Sequence, residues 1–203
     1  SGRWDTVEAV VARFQQTSLR LRYSLIPTVA AVRGMALGGS CEFIMHCDRA
    51  VAALESYVGL VEAGVGLLPG GGGTKEFAVR AADAVKQGPT GGQADHFPFL
   101  RASFQTIAMA TVAKSALEAK ALGFLKDADV VVTHPHEILH VAIAQARAMA
   151  DSGSRPPLPP VGMDASHSIH SPDSWKIRVT TVTLPPVPPY GNWTNPSLCL
   201  AST

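Results

Sequence analysis

Apolar positions Val7, Val10, Val11, Phe14, Leu19 and Leu21 form a rough helical stripe over residues 5–24, and Pro27 ends or separates that helix. Thr28 to Met35 is short, β-branched and bounded by Pro27 and Gly34, which predicts one buried strand. A helix is expected to open at Gly38-Gly39-Ser40 and run to about Cys47, with Ser40 as its cap. Two more short strands follow, Ala50 to Ala53 and Tyr57 to Leu60, then a glycine-rich loop through Gly73.

Thr74 to about Ala84 reads as helix, and Lys86 to Asp95, with Gly88, Pro89, Gly91 and Gly92, as a surface loop. Helical patterns resume at 104–117, 118–123 and 135–150, the last with Pro135 in its first turn. Short strands alternating with helices over 1–150 predict an α/β class.

The pattern changes after Ser152. Ten of the fifteen prolines lie in the last quarter, and Trp175 to Leu184 alternates like a strand without a partner. We therefore divide the chain into a core, 1–152, and a Pro-rich tail, 153–203, that is disordered or weakly attached.

Composition narrows the function classes. The chain has 203 residues, 46% hydrophobic and 16% charged, enough for one domain with a sizeable core plus an appendage. A net charge of +1 leaves no electrostatic footprint for nucleic acid or an acidic membrane. No apolar run approaches membrane-spanning length. Three cysteines, Cys41, Cys47 and Cys199, make no disulfide framework and point to a reducing, intracellular compartment.

The candidate chemistry lies in two glutamates with glycine-rich neighbours. Glu42 follows Gly38-Gly39-Ser40-Cys41, and Glu62 precedes Gly64, Gly66 and the run Gly70 to Gly73. Apolar surroundings raise a carboxylate's pKa and favour proton exchange near neutrality, while glycines let backbone N–H groups approach a ligand. Paired carboxylates with backbone donors suit acid/base chemistry beside a developing oxyanion.

Competing motifs fail on their spacing. Gly73-Thr74-Lys75 inverts the order that a phosphate loop needs, and Pro69 stands where a dinucleotide fingerprint begun at Gly64 wants its third glycine. His136-Glu137-Ile138-Leu139-His140 matches the zinc pattern H-E-x-x-H. Its extended form meets Ile143 and Ala146 in place of Gly and His, so we read it as a helix's first turn and expect no metal. Asp48 and Arg49 are read as local pairing or capping residues, and His46 as packed or on the surface.

Together, Ala30 to Glu42, Cys47-Asp48, Glu62 and Gly66 to Thr74 resemble the enoyl-CoA hydratase/isomerase (crotonase) family, in order and spacing, over roughly residues 25–77. A weaker match continues through Glu118-Ala119-Lys120-Ala121-Leu122-Gly123 to about Ala150. The segment from Thr74 to Leu122 resembles the hydratase portion of bifunctional proteins that also carry a 3-hydroxyacyl-CoA dehydrogenase.

The resemblance implies a core of repeated β-β-α spiral turns with a C-terminal helical region. It implies a lyase of fatty-acid β-oxidation that hydrates trans-2-enoyl-CoA to 3-hydroxyacyl-CoA. Glu42 would activate the water, Glu62 would protonate the α-carbon, and Gly39, beside Gly38, would donate to the thioester oxygen. Gly70 would position the water. Coenzyme A enters only as part of the substrate, with no other cofactor. The implied setting is cytoplasmic, as a trimer-type homo-oligomer or part of a multifunctional β-oxidation protein, with no nucleic acid or membrane partner. Ser40 stands where most members have glycine, and the chain is expected to begin after the segment that supplies the second oxyanion donor. A Δ3,Δ2-enoyl-CoA isomerase and a non-catalytic acyl-CoA-binding or assembly fragment are the alternatives.

Overall fold

The computed structural model describes residues 4–88 and 95–158. Helix α1 (Trp4–Arg22) leads into strands β1 (Val29–Val32) and β2 (Met35–Leu37), helix α2 (Gly39–His46), and strands β3 (Arg49–Ala53) and β4 (Tyr57–Gly59). A 3-10 turn at Glu62–Val65 is followed by α3 (Gly73–Gln87) and α4 (Phe97–Ala108). The remainder is β5 (Val112–Ala113), α5 (Ala116–Ala121), β6 (Val130–Val132) and α6 (Ile138–Asp151).

The strands form two three-stranded sheets, β1-β3-β6, entirely parallel, and β2-β4-β5, in which β5 runs antiparallel. Each spiral turn gives one strand to each sheet and then a helix: β1-β2-α2, then β3-β4 and α3. The α/β expectation holds. The corners explain how. At Arg33-Gly34 the chain leaves the first sheet for the second, and Gly34 takes φ 73°, a conformation that costs glycine little. The single strand expected over Thr28 to Met35 is therefore two, in different sheets. Tyr57 N donates to the Gly34 carbonyl at 2.8 Å, stacking the second corner on the first.

Strand β3 is buried on both faces, as its unbroken Ala-Val-Ala-Ala run requires. Ala50 and Ala52 join the main core with Ile44, Met45, Leu60, Phe77 and Phe124, whereas Val51 and Ala53 face Ile138 and Ala142 of α6. Alternation across one strand thus serves two hydrophobic layers.

Several local expectations are corrected. Ser40 is not a cap: Gly38 occupies that position at φ 58° with no side-chain cap bond, and Ser40 lies exposed within α2. Helix does not run through 104–117, because Ala110 adopts φ 48° and the chain enters β5 two residues later. Pro135 sits in a turn before α6, while Pro98 is the proline in a helical first turn. Helix α3 extends to Gln87, so the predicted loop begins later than Lys86; its residues 89–94 lie outside the described residues. So does the tail from Pro159, with the strand expected at Trp175 to Leu184.

Candidate active site

Glu42 sits one turn into α2, its carboxyl buried against the start of α3. Gly73 N donates to Glu42 Oε1 at 2.8 Å. The amides of Gly71 and Gly72 also favour its charged form. Burial acts in the opposite direction and is the largest influence; the Coulomb field of Glu62 adds to it, and the net effect raises the Glu42 pKa above the ordinary 4.5. Glu42 is therefore a carboxyl that binds a proton more readily than an exposed one.

Close backbone approach accounts for the glycines around it. A Cβ on Gly71 would run into both the Phe14 ring and Glu42 Oε2. On Gly73 it would stand 2.8 Å from Leu60 Cδ1, and on Gly39 3.0 Å from Phe14 Cζ. Phe14 of α1 stacks on Phe43 at 4.4 Å between centroids and forms an apolar wall over the α2 N-terminus. Low local dielectric strengthens every polar interaction made there.

Glu62 opens the 3-10 turn. A Cβ placed on Gly38 would lie 3.3 Å from Glu62 Oε1, so the carboxylate approaches the Gly38 backbone. Its other oxygen, Oε2, is buried and has no hydrogen-bond partner among the described residues. Gly38 N is committed to the Gly59 carbonyl at 2.8 Å, whereas Gly39 N belongs to the first turn of α2, where helix amides lack intrahelical acceptors. Glu42, Glu62, Gly38 and Gly39 are thus brought together. Cys41, between them in sequence, is buried with both glutamates in its field, and burial pushes its thiol pKa far up.

Gly70 is placed differently. It is exposed, and its carbonyl accepts from Gln15 Nε2 at 2.7 Å, which leaves its N–H as the group able to meet a water.

The sequence reading missed a buried ionic cluster behind Glu42. Glu76 on α3 is fully buried and accepts from Arg22 Nη1 at 2.8 Å and Lys75 Nζ at 2.6 Å. Burial raises its pKa, but Lys75, Arg22 and His46 together outweigh that and the net shift is downward. His46, also buried, faces Glu76 Oε1 through Nε2 at 3.4 Å, and burial lowers its pKa. A charged residue beside apolar Phe77, and a histidine on the buried face of α2, were the available signals.

The remaining candidates are structural. Asp48 accepts from Thr28 N at 2.8 Å and Thr28 Oγ1 at 2.9 Å, while Arg49 Nη1 donates to the Ala128 carbonyl at 2.6 Å; the two do not pair with each other. His136 lies in the turn before α6 beside His134, and His140 is exposed on α6. Among the described residues no three His, Cys, Asp or Glu side chains converge as metal ligands. No helix of these residues is long and apolar enough to cross a membrane.

Residues 6–86 match the enoyl-CoA hydratase/isomerase family model. A probable 3-hydroxyacyl-CoA dehydrogenase of Bacillus subtilis is 42% identical over 154 residues, covering 75% of this chain and 18% of that protein. A putative fatty acid oxidation complex trifunctional enzyme of Rickettsia felis is 42% identical over 80 residues, 39% of this chain and 11% of that protein. The crystal structure of an enoyl-CoA hydratase from Bacillus anthracis superimposes with a TM-score of 0.55 at 27% identity, over 74% of this chain and 49% of that one. The chain thus spans about a fifth or less of these curated relatives and about half of the solved hydratase.

Proposed function

Residues 6–86 belong to the enoyl-CoA hydratase/isomerase family, and from that premise we propose that the chain carries the acid/base centre for hydrating trans-2-enoyl-CoA to 3-hydroxyacyl-CoA. The observation that carries the reading is that the Glu62 carboxylate lies against Gly38 at the start of α2, close enough for its field to act on Glu42 in that helix's first turns. In this reading the thioester oxygen lies on the Gly39 N–H, where the α2 dipole favours developing negative charge. Water between the carboxylates loses a proton to Glu42 as its oxygen bonds to C3. The π electrons move onto the thioester oxygen as an enolate, and collapse of the enolate takes a proton from Glu62 at C2. One proton is accepted and one is given, so the net change is addition of water.

The environment of Glu42 suits its part, because burial makes proton capture easier while Gly73 N holds the carboxyl in place. Gly70 N–H supports the water. Two carboxylates favour hydration over double-bond isomerisation, which needs one group to shuttle a proton. By the same reading the chain works on acyl-CoA, needs no cofactor beyond the substrate's own coenzyme A, and acts as a homo-oligomer or within a multifunctional β-oxidation protein. The test is incubation of the 203-residue chain with crotonyl-CoA and with a 3-enoyl-CoA, followed by product analysis. 3-Hydroxybutyryl-CoA from the first supports the reading; a 2-enoyl product from the second without hydration, or no turnover of either, overturns it.

A further inference from the structure

Three elements meet behind Glu42 through one line of polar contacts. Arg22 of α1 donates to Glu76 of α3, Glu76 faces His46 of α2, and His46 Nδ1 lies 2.6 Å from the backbone carbonyl of Glu42. A carbonyl oxygen only accepts, so Nδ1 carries the proton and Nε2 is the nitrogen turned toward Glu76. Nε2 makes no conventional hydrogen bond, and the Gly72 backbone is pressed against the same ring edge, since a Cβ there would lie 2.7 Å from His46 Cε1. The Gly72 carbonyl accepts from Glu76 N at 2.9 Å, and the next amide, Gly73 N, is the donor to Glu42 Oε1.

We propose that Glu76 is a positioning residue for Glu42: its ion pair with Arg22 ties the first turn of α3 to α1, so that the Gly73 amide at the head of that helix stays on the Glu42 carboxyl. Lys75, the more exposed partner, binds the other carboxylate oxygen of Glu76. The proposal rests on the hydratase reading only for the purpose it assigns to Glu42; the positioning itself is a property of the fold.

Its signature is the titration of Glu42, whose charged and titratable neighbours are Glu62 from the 3-10 turn, His46 on its own helix, Glu76 and Lys75 from α3, and Arg22 from α1. By Coulomb's law alone, Glu76→Gln removes an anion and lowers the Glu42 pKa. Loss of positioning acts oppositely, because the charged form of Glu42 loses its backbone donor and the pKa rises.

The experiment is carboxyl 13C chemical-shift titration of Glu42 in the full chain and in Glu76→Gln, with Glu118 as a remote reference. We expect the Glu42 pKa to rise by roughly half a unit or more. An unmoved or lowered value in a folded variant overturns the proposal. A merely structural role would lower the melting temperature without moving this titration. Should Glu76→Gln not fold, Glu76→Asp, which keeps the charge but shortens the reach to Arg22, decides by the same sign. Because the readout needs no turnover, a shifted titration in a chain that fails to hydrate crotonyl-CoA retains the positioning role and rejects the hydratase reading. An unmoved titration in an active chain does the reverse.

Discussion

Gly73 N donates to Glu42 Oε1 at 2.8 Å across 31 residues of sequence, so the start of α3 and the interior of α2 are fixed to each other by the carboxyl proposed to activate water. A glycine is required wherever the backbone comes this close, and the consequences of filling the space are measurable.

Gly71→Ala is expected to destabilise the fold by about 1–3 kcal/mol, the usual cost of overpacking, since its methyl would collide with Phe14 and Glu42 Oε2. Urea denaturation measures this directly. A variant as stable as the parent would mean that the loop relaxes freely and does not constrain Glu42.

The two buried carboxylates should impose opposite pH dependences. Glu42 has a raised folded pKa, so its contribution is fully present below the unfolded value near 4.5 and is lost as pH rises through the folded pKa. Glu76 has a lowered folded pKa, so its contribution is present above about 4.5 and is lost as pH falls through the folded pKa. Denaturation midpoints across pH should therefore lose their high-pH decline in Glu42→Gln and part of their acid decline in Glu76→Gln. Parallel curves for both variants and the parent would contradict these assignments.

Arg80 holds the carbonyls of Gly123, Phe124 and Met45 at 2.6, 2.9 and 3.1 Å. Arg80→Met leaves three acceptors without their charged donor and should cost about 3 kcal/mol or more, given about 1.5–3 kcal/mol for a hydrogen bond to a charged group. Equilibrium unfolding checks the figure, and a loss below about 1 kcal/mol would show that other donors replace the guanidinium.

Cys41 is buried with a thiol pKa far above the ordinary value, so little thiolate exists at neutral pH. Maleimide labelling followed by peptide mapping should leave the Cys41 peptide unmodified in the native chain and modify it in urea. Rapid native labelling would show that this part of the core opens.

Much of the site was legible because its signals are local. Gly38 needs a positive φ, Gly71 and Gly73 need bare backbone, and both glutamates stand among them in sequence. What the sequence hid depends on tertiary placement. The break at Gly34 was indistinguishable from a continuous strand because both halves are apolar, and only the second sheet explains it. The turn at Ala110 was hidden inside a helical pattern. Arg22, His46 and Glu76 are separated by 24 and 30 residues, beyond any periodicity, and meet only once α1, α2 and α3 pack.

The central claim is that Glu42 and Glu62 act on one water as a pair. Its most direct measurement is the rate of crotonyl-CoA hydration by Glu42→Gln, Glu62→Gln and the double variant, each with its fold verified. Each single change should lower kcat by about 10²-fold or more, and the double change should add little, as for groups that act as a unit. Near-normal turnover in either single variant, or losses that simply multiply in the double, would contradict the account.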